Sequence, residues 1–311
     1  MDQNYDVIII GGGPAGLSAA QYAGRANLKV LLIEEMALGG QGLVIESLEN
    51  YPGFPEGVGG FDFAQKMEAQ ARQFGAEILN TSVRSFTKNG NTFKVITGKG
   101  DLTATAIILA TGAKHRTLDV PGEAEFSGRG VSYCATCDGP FFKNQKILVV
   151  GGGDAACDEA MFLSKLTDQV VMIHRRDRFR AQKALGERVL ANPRIDVRFN
   201  TTALEIKGDQ KVKEVVLQNT ETGETTTEDF GAVFIFVGSL PQTGLVPDLE
   251  KDEAGYLVTN QRMETSVPGL YVVGDLRATP FRQVVVAAGE GAVAAHCAAQ
   301  YIDEVNDEAY E

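Results

Sequence analysis

Two stretches of the chain carry the same order of apolar and polar positions. "DVIIIGGGPAGLSAAQYAGRANLKVLLIE" (Asp6–Glu34) opens on an unbroken β-branched run, passes through a glycine cluster, continues in small residues and closes on a second apolar run. "KILVVGGGDAACDEAMFLSKLTDQVVMIH" (Lys146–His174) repeats that order. Unbroken apolar runs predict strands covered on both faces, as in a parallel sheet, whereas alternating runs predict strands with one wet face. The spacing agrees as well, because Gly11 to Glu34 and Gly151 to His174 both span 23 positions. Elsewhere the pattern predicts an amphipathic helix near Phe61–Phe74, alternating strands through Ile96, a buried strand and turn in Ala106–Arg116, and a hairpin region over Ala203–Asp229. A further strand and turn follow in Ala232–Thr243, and "LYVVGD" ends in Asp275 before an alanine-rich helix to about Ile302. Strands alternating with helices predict an α/β fold.

The repeated unit has the chemistry of a dinucleotide site. The first glycine makes the tight turn, the second lets backbone approach a pyrophosphate, and the third lets helix and strand pack closely. The phosphates then meet unpaired N–H groups at the helix N-terminus. These positions are Gly11, Gly13 and Gly16 in the first unit, and Gly151, Gly153 and Ala156 in the second. The residue ending the second strand separates the two. Glu34 suits a ribose 2′-OH and repels a 2′-phosphate, as FAD or NAD requires. "HRRDRFR" (His174–Arg180) offers Arg175, Arg176 and Arg180 at the matching place, a cationic patch suited to the 2′-phosphate of NADPH. The pattern therefore predicts one flavin dinucleotide and one NADPH.

Length and composition narrow the class. A chain of 311 residues, 44% hydrophobic and 23% charged, has room for two domains of ordinary size. A net charge of −12 argues against a nucleic-acid surface, and no polybasic tail points to a membrane. "MDQNYDVIIIGGG" is unlike a signal peptide, and no apolar run approaches a membrane span. Four cysteines do not make a disulfide scaffold in a chain this long, which points to a reducing, cytoplasmic setting. Two of them, in "VSYCATCDGPFF" (Val131–Phe142), are three positions apart. Such a pair is half of a zinc site, a redox dithiol, or two small buried residues. Zinc needs a second knuckle, and Cys157, Cys297, His115, His174 and His296 are scattered, so no metal site is expected.

The ordered set GxGxxG, GGQ, ENYPG, ATG, VPGE, CATCDG, GGGD, HRRDxxR, GYxxT, TSVPGLYVVGD and RQ, running from Tyr5 to about Ile302, resembles the bacterial low-molecular-weight thioredoxin reductases. The resemblance implies two Rossmann-like domains, with a discontinuous FAD domain (1–115 and 246–311) and an inserted NADPH domain (116–245) carrying the redox pair. It also implies a homodimer that transfers electrons from NADPH through FAD and a Cys134–Cys137 disulfide to thioredoxin. A related flavoprotein reductase using ferredoxin or another thioredoxin-like partner is the alternative. Carried over by position, Gly11, Gly13, Pro14, Ala15 and Gly16 hold the FAD pyrophosphate and Glu34 its ribose, while Gly40, Gln41, Asn50, Thr111 and Gly112 lie near the flavin. Asp275 holds the ribitol or pyrophosphate end, and Arg282, Gln283 and Val284 cap the ring system. Gly151, Gly153, Asp154, Ala155, Ala156, His174, Arg175, Arg176 and Arg180 bind NADPH. Cys137 is the cysteine nearer the flavin, Cys134 attacks thioredoxin, and Asp138 is the acid. Hinges are expected near Arg116 and Thr243.

The chain departs from the family at Ala155, where a Ser or Thr is usual, at the neighbouring Cys157, and in "GLVIES" after the GGQ loop, which lacks the expected threonines. These departures bear on nucleotide affinity and flavin tuning.

Overall fold

The computed structural model describes residues 4–45 and 48–306, without the Val44 side chain. Glu46 and Ser47 of the "GLVIES" departure lie outside the described residues. The chain divides into two compact units, one formed by 1–114 with 241–311 and the other by 115–240.

The first unit begins with strand β1 (Asn4–Ile10), helix α1 (Pro14–Arg25) and strand β2 (Val30–Glu34). Helix α2 (Gly60–Gln73) follows, then strands β3 (Glu77–Asn80), β4 (Val83–Asn89), β5 (Thr92–Thr97) and β6 (Gly100–Leu109). Their order in the sheet is β3-β2-β1-β6-β5-β4. The β-branched run of β1 reads as it does because both faces are covered. Val7 and Ile9 enter one core with α1, while Ile8 and Ile10 enter another on the opposite side. Each such side chain contributes about 1.5–3 kcal/mol when fully buried.

Strand β7 (Ala113–His115) carries the chain out of this unit. The second unit holds β8 (Val131–Ser132), a short helix α3 (Ala135–Asp138), β9 (Ile147–Gly151), α4 (Asp154–Leu163), β10 (Val170–Ile173), α5 (Lys183–Leu190) and β11 (Ile195–Arg198). The hairpin region expected over Ala203–Asp229 is a three-stranded antiparallel sheet, β12 (Thr201–Gly208), β13 (Val212–Asn219) and β14 (Thr225–Asp229). Strand β15 (Ala232–Phe236) completes a parallel sheet in the order β11-β10-β9-β15-β8. Leu148 and Val150 face one core of this unit, and Ile147 and Val149 the other, which reproduces the two-sided burial of β1.

The return runs through β16 (Ser239–Pro241), which pairs with β7. The crossing itself falls between Leu240 and Pro241, where the expected boundary lay at 245 and 246. Gln242 explains the earlier crossing, because its backbone N–H and side chain already bond Gly112 and Thr111 of the first unit. Strand β17 (Leu270–Val272) then pairs with the second half of β6, whose first half is taken by β5. Helix α6 (Val284–Val305) packs on α1. Small residues permit that approach, since a Cβ on Gly291 would lie 2.1 Å from the Ala15 carbonyl oxygen.

Candidate functional site: two glycine turns and a cysteine pair

In the first unit the turn between β1 and α1 is built by contacts that only glycine allows. Gly11 has φ +109°, and a Cβ there would sit 2.3 Å from the Ala110 carbonyl oxygen at the end of β6. A Cβ on Gly16 would sit 1.9 Å from the Gly11 carbonyl oxygen, so the first turn of α1 rests directly on the loop. Gly13 differs, because a Cβ there meets nothing within 4 Å. It caps α1 without a side-chain bond, and Pro14 follows at the first helical position, where its missing N–H costs nothing. The result is a helix N-terminus with open space before it, a ready site for a phosphate.

The other residues expected in this unit converge on the same turn. Glu34 ends β2 and accepts the Gly12 N–H at 2.7 Å and the Met36 N–H at 2.8 Å, which fixes its carboxylate beside the glycines. A cleft of about 480 Å³ adjoins it, lined in part by Leu38, Leu43, Phe61 and Asn80. A Cβ on Gly40 would lie 3.3 Å from the Gly13 Cα, so the GGQ loop closes over α1. Gln41 bonds the Ala113 carbonyl, and Asn50 donates to the Gln283 side chain at 2.9 Å. Thr111 follows the Ala110 carbonyl that meets Gly11, and its hydroxyl donates to the Gln242 carbonyl at 3.0 Å. Gly112, at φ +63°, leaves open space above it. Asp275 lies in a single 3-10 turn directly after Gly274, whose added Cβ would come within 3.1 Å of Ala15. Burial raises the Asp275 carboxyl above its ordinary range, and Arg282 opposes that shift. The Arg282 guanidinium lies 3.6 Å from the centre of the Tyr256 ring, and its Nε is buried without a partner. An unfilled donor in the same unit as the open helix terminus fits a ligand rich in acceptors. Val284 begins α6 immediately after Gln283.

Sequence reasoning missed three residues here. Glu290 of α6 is buried, accepts the Gly274 N–H at 2.8 Å and pairs with Arg277 at 2.6 Å, so it holds the backbone that presents Asp275. The legible signal was a carboxylate set in the middle of the alanine-rich stretch of that helix. Gln242 returns the Thr111 contact through its side chain.

The second unit repeats the turn with a different surround. A Cβ on Gly151 would sit 2.4 Å from the Phe236 carbonyl oxygen and 2.7 Å from the Ala156 methyl. Gly153 again has open space at the N-terminus of α4. Asp154 accepts the Gln182 N–H at 2.7 Å and its side-chain amide at 3.1 Å, and the Arg180 N–H bonds the Gly152 carbonyl at 2.7 Å. These bonds fold the basic loop back over the turn. His174 is buried against Gly152, whose Cβ would lie 2.4 Å from its Nδ1. Its Nε2 has no partner, and burial together with Arg180, Arg176 and Arg175 holds its pKa below the ordinary imidazole value. The three arginines are exposed and have no carboxylate partner among the described residues. Ala155 is exposed on the first turn of α4.

Cys134 and Cys137 form a disulfide with a Cα–Cα distance of 5.4 Å. Cys134 caps α3, and its Sγ accepts the Cys137 N–H at 3.1 Å. Cys137 is exposed and Cys134 half-buried, and Asp138 ends the helix. Cys157 and Cys297 are free, buried thiols; burial raises the Cys157 pKa to about 12, so that thiol is inert. Among the described residues no cluster of His, Cys, Asp or Glu could hold a metal, and no helix is long and apolar enough to cross a membrane.

A sequence profile described as Pyridine nucleotide-disulphide oxidoreductase matches residues 5–291. The chain belongs to that family. It is 56% identical over 307 residues to thioredoxin reductase of Treponema pallidum (strain Nichols), covering 99% of this chain and 100% of the relative. Among solved structures it is similar to Lactococcus lactis thioredoxin reductase, with TM-score 0.94 and 44% identity over 96% of this chain and 99% of that one. T. acidophilum thioredoxin reductase matches with TM-score 0.92 and 34% identity, over 98% and 100%.

Proposed function

We propose that this family member is a thioredoxin-disulfide reductase that takes electrons from NADPH and delivers them through Cys134–Cys137 to thioredoxin. The observation that carries the reading is the combination of a Cys134–Cys137 disulfide with two glycine turns of opposite charge character. When bound, FAD supplies the two-electron chemistry that links a nicotinamide to a disulfide. Its site is the first unit: Gly11, Gly13, Pro14, Ala15 and Gly16 at the pyrophosphate and Glu34 at the ribose. Gly40, Gln41, Asn50, Thr111, Gly112, Asp275, Arg282, Gln283 and Val284 line the rest. NADPH takes the second unit, with Gly151, Gly153, Asp154, Ala155 and Ala156 at the phosphates, His174 beneath them, and Arg175, Arg176 and Arg180 at the 2′-phosphate. The enzyme works as a cytoplasmic homodimer.

The chain's own chemistry is thiol–disulfide exchange. Two electrons and two protons open the Cys134–Cys137 bond to two thiols, with Asp138 supplying a proton to the departing sulfur. The Cys134 thiolate, which keeps the Cys137 N–H as a donor, attacks thioredoxin's disulfide; one S–S bond breaks as a mixed disulfide forms. Cys137 then attacks Cys134, restoring the internal disulfide and releasing thioredoxin as a dithiol. Cys134 is the half-buried member, so this order needs its sulfur accessible when thioredoxin docks; the hinges are proposed at the two chain crossings. The test is an NADPH-dependent thioredoxin assay on the flavin-loaded protein. Wild type turns over, while Cys134→Ser and Cys137→Ser lose thioredoxin reduction and keep flavin reduction by NADPH. Serine variants with wild-type turnover would end the reading.

A further inference from the structure

Glu123 is a buried carboxylate, 3% exposed, that neither nucleotide turn uses. It accepts three hydrogen bonds: the Leu118 N–H at 2.9 Å, the Asp119 N–H at 2.7 Å and the Tyr133 hydroxyl at 2.7 Å. Tyr133 is the residue directly before Cys134, and the His115 ring stacks on it at 5.9 Å between centroids with planes 16° apart. His115 ends β7, the strand by which the chain enters this unit. We propose that Glu123 and Tyr133 are positioning residues for the Cys134–Cys137 pair, clamping the redox segment to the entering strand so that the two sulfurs are held in bridging geometry.

The segment before the pair is held from two sides, and the clamp is one of them. On one side Ser132 pairs with Phe234 in the sheet, and its hydroxyl accepts the Cys134 N–H at 3.1 Å. On the other side successive side chains alternate, so Tyr133 points away from Ser132 and toward Glu123. Val120 and Leu118, on the loop that Glu123 fastens, pack with Tyr133 against one core of the unit. A fully satisfied buried carboxylate is a demanding group to place, and it specifies one geometry. Fixing Cys134 raises its effective concentration toward Cys137 and so favours the disulfide over the open dithiol. Releasing the clamp makes the pair easier to reduce.

The inference deepens the role proposed for the dithiol, and its test reads the cysteines directly. The flavin-loaded protein is equilibrated in glutathione buffers of graded ratio, then thiols are trapped and counted by mass spectrometry. Tyr133→Phe keeps the ring and removes one hydrogen bond to a charged group; the equilibrium shifts toward the dithiol by about three- to tenfold, a part of that bond's full worth. Glu123→Gln shifts it further in the same direction, because an amide presents an N–H to one of three donors. Tyr133→Phe adds little in the Glu123→Gln background, since both break one contact. NADPH-driven flavin reduction and flavin content stay at wild-type levels throughout. An unchanged equilibrium overturns the proposal, as do full additivity or a parallel loss of flavin content and NADPH reactivity, which mark a merely structural role. If wild type fails to reduce thioredoxin, the proposed function falls, and the glutathione titration still reads the clamp.

Discussion

The two glycine turns use the same backbone device and are finished differently. Both place a strand end, a glycine whose Cβ would strike a neighbouring carbonyl, and a helix N-terminus with open space before it. In the first unit the strand end supplies Glu34, tied to two backbone N–H groups. In the second it supplies a buried His174, followed by three exposed arginines that have no carboxylate partner among the described residues. The helix terminus attracts any phosphate; the strand end sets which nucleotide is tolerated. The closing position of the motif differs as well. Gly16 rests on the Gly11 carbonyl, whereas the equivalent Ala156 carries its methyl into the core of its unit.

That last difference gives the largest expected effect. Gly16→Ala forces a methyl to within 1.9 Å of the Gly11 oxygen, so the turn must open and the flavin content should fall close to zero. Ala156→Gly removes a tolerated methyl, costs about 1 kcal/mol in the helix and leaves flavin content unchanged. Absorbance of the purified proteins with thermal unfolding checks both. A Gly16→Ala protein with full flavin would erase the distinction between the two turns.

The next effect sharpens the strand-end contrast. Replacing Arg175 and Arg176 together with alanine should lower kcat/KM for NADPH by about tenfold to a hundredfold, the worth of one good hydrogen bond to a charged group. The two losses need not add, because both groups share one phosphate. NADH should be almost unaffected. An equal fall for both nucleotides would assign the arginines to general steering, and a wild type that prefers NADH would remove the phosphate reading.

The smallest effect is one of pH. His174 has a folded pKa below its unfolded one, so the unfolded chain binds the proton more readily. Stability from this group is present above about pH 6.5 and is lost as pH falls through that value, by less than about 1 kcal/mol at pH 6. Hydrogen exchange should therefore quicken in β10 between pH 7.5 and pH 6, with intrinsic rates corrected, and stay level in β2. Equal changes in both strands would show that the histidine is not the cause.

The two nucleotide units were legible because their information is local. Continuous β-branched runs and glycines at fixed offsets read the same in sequence and in space, since a strand, a tight turn and a helix are each fixed by neighbouring residues. Three positions were not legible: the clamp of Glu123 on Tyr133, the Glu290–Arg277 pair behind Gly274, and the Gln242 contacts with Thr111. Each joins residues 10 to 131 positions apart, and nothing in the local pattern marks a partner at that range. The pattern over Ala203–Asp229 predicts a hairpin region where the structure has a three-stranded antiparallel sheet, because turn signals identify a reversal without counting the strands.

The amino-acid sequence by itself determined the α/β class, the repeat, the cysteine pair and the charge at each strand end, because these follow from side-chain type and short-range geometry. Only the tertiary structure decided which distant residues hold them. It joined β17 to β6 so that Asp275 follows a strand of the first sheet, and it set Glu290 behind Gly274 and Glu123 beneath the residue preceding Cys134. Buried polar groups must find partners wherever the packed chain brings them, and that choice is made by the whole fold at once.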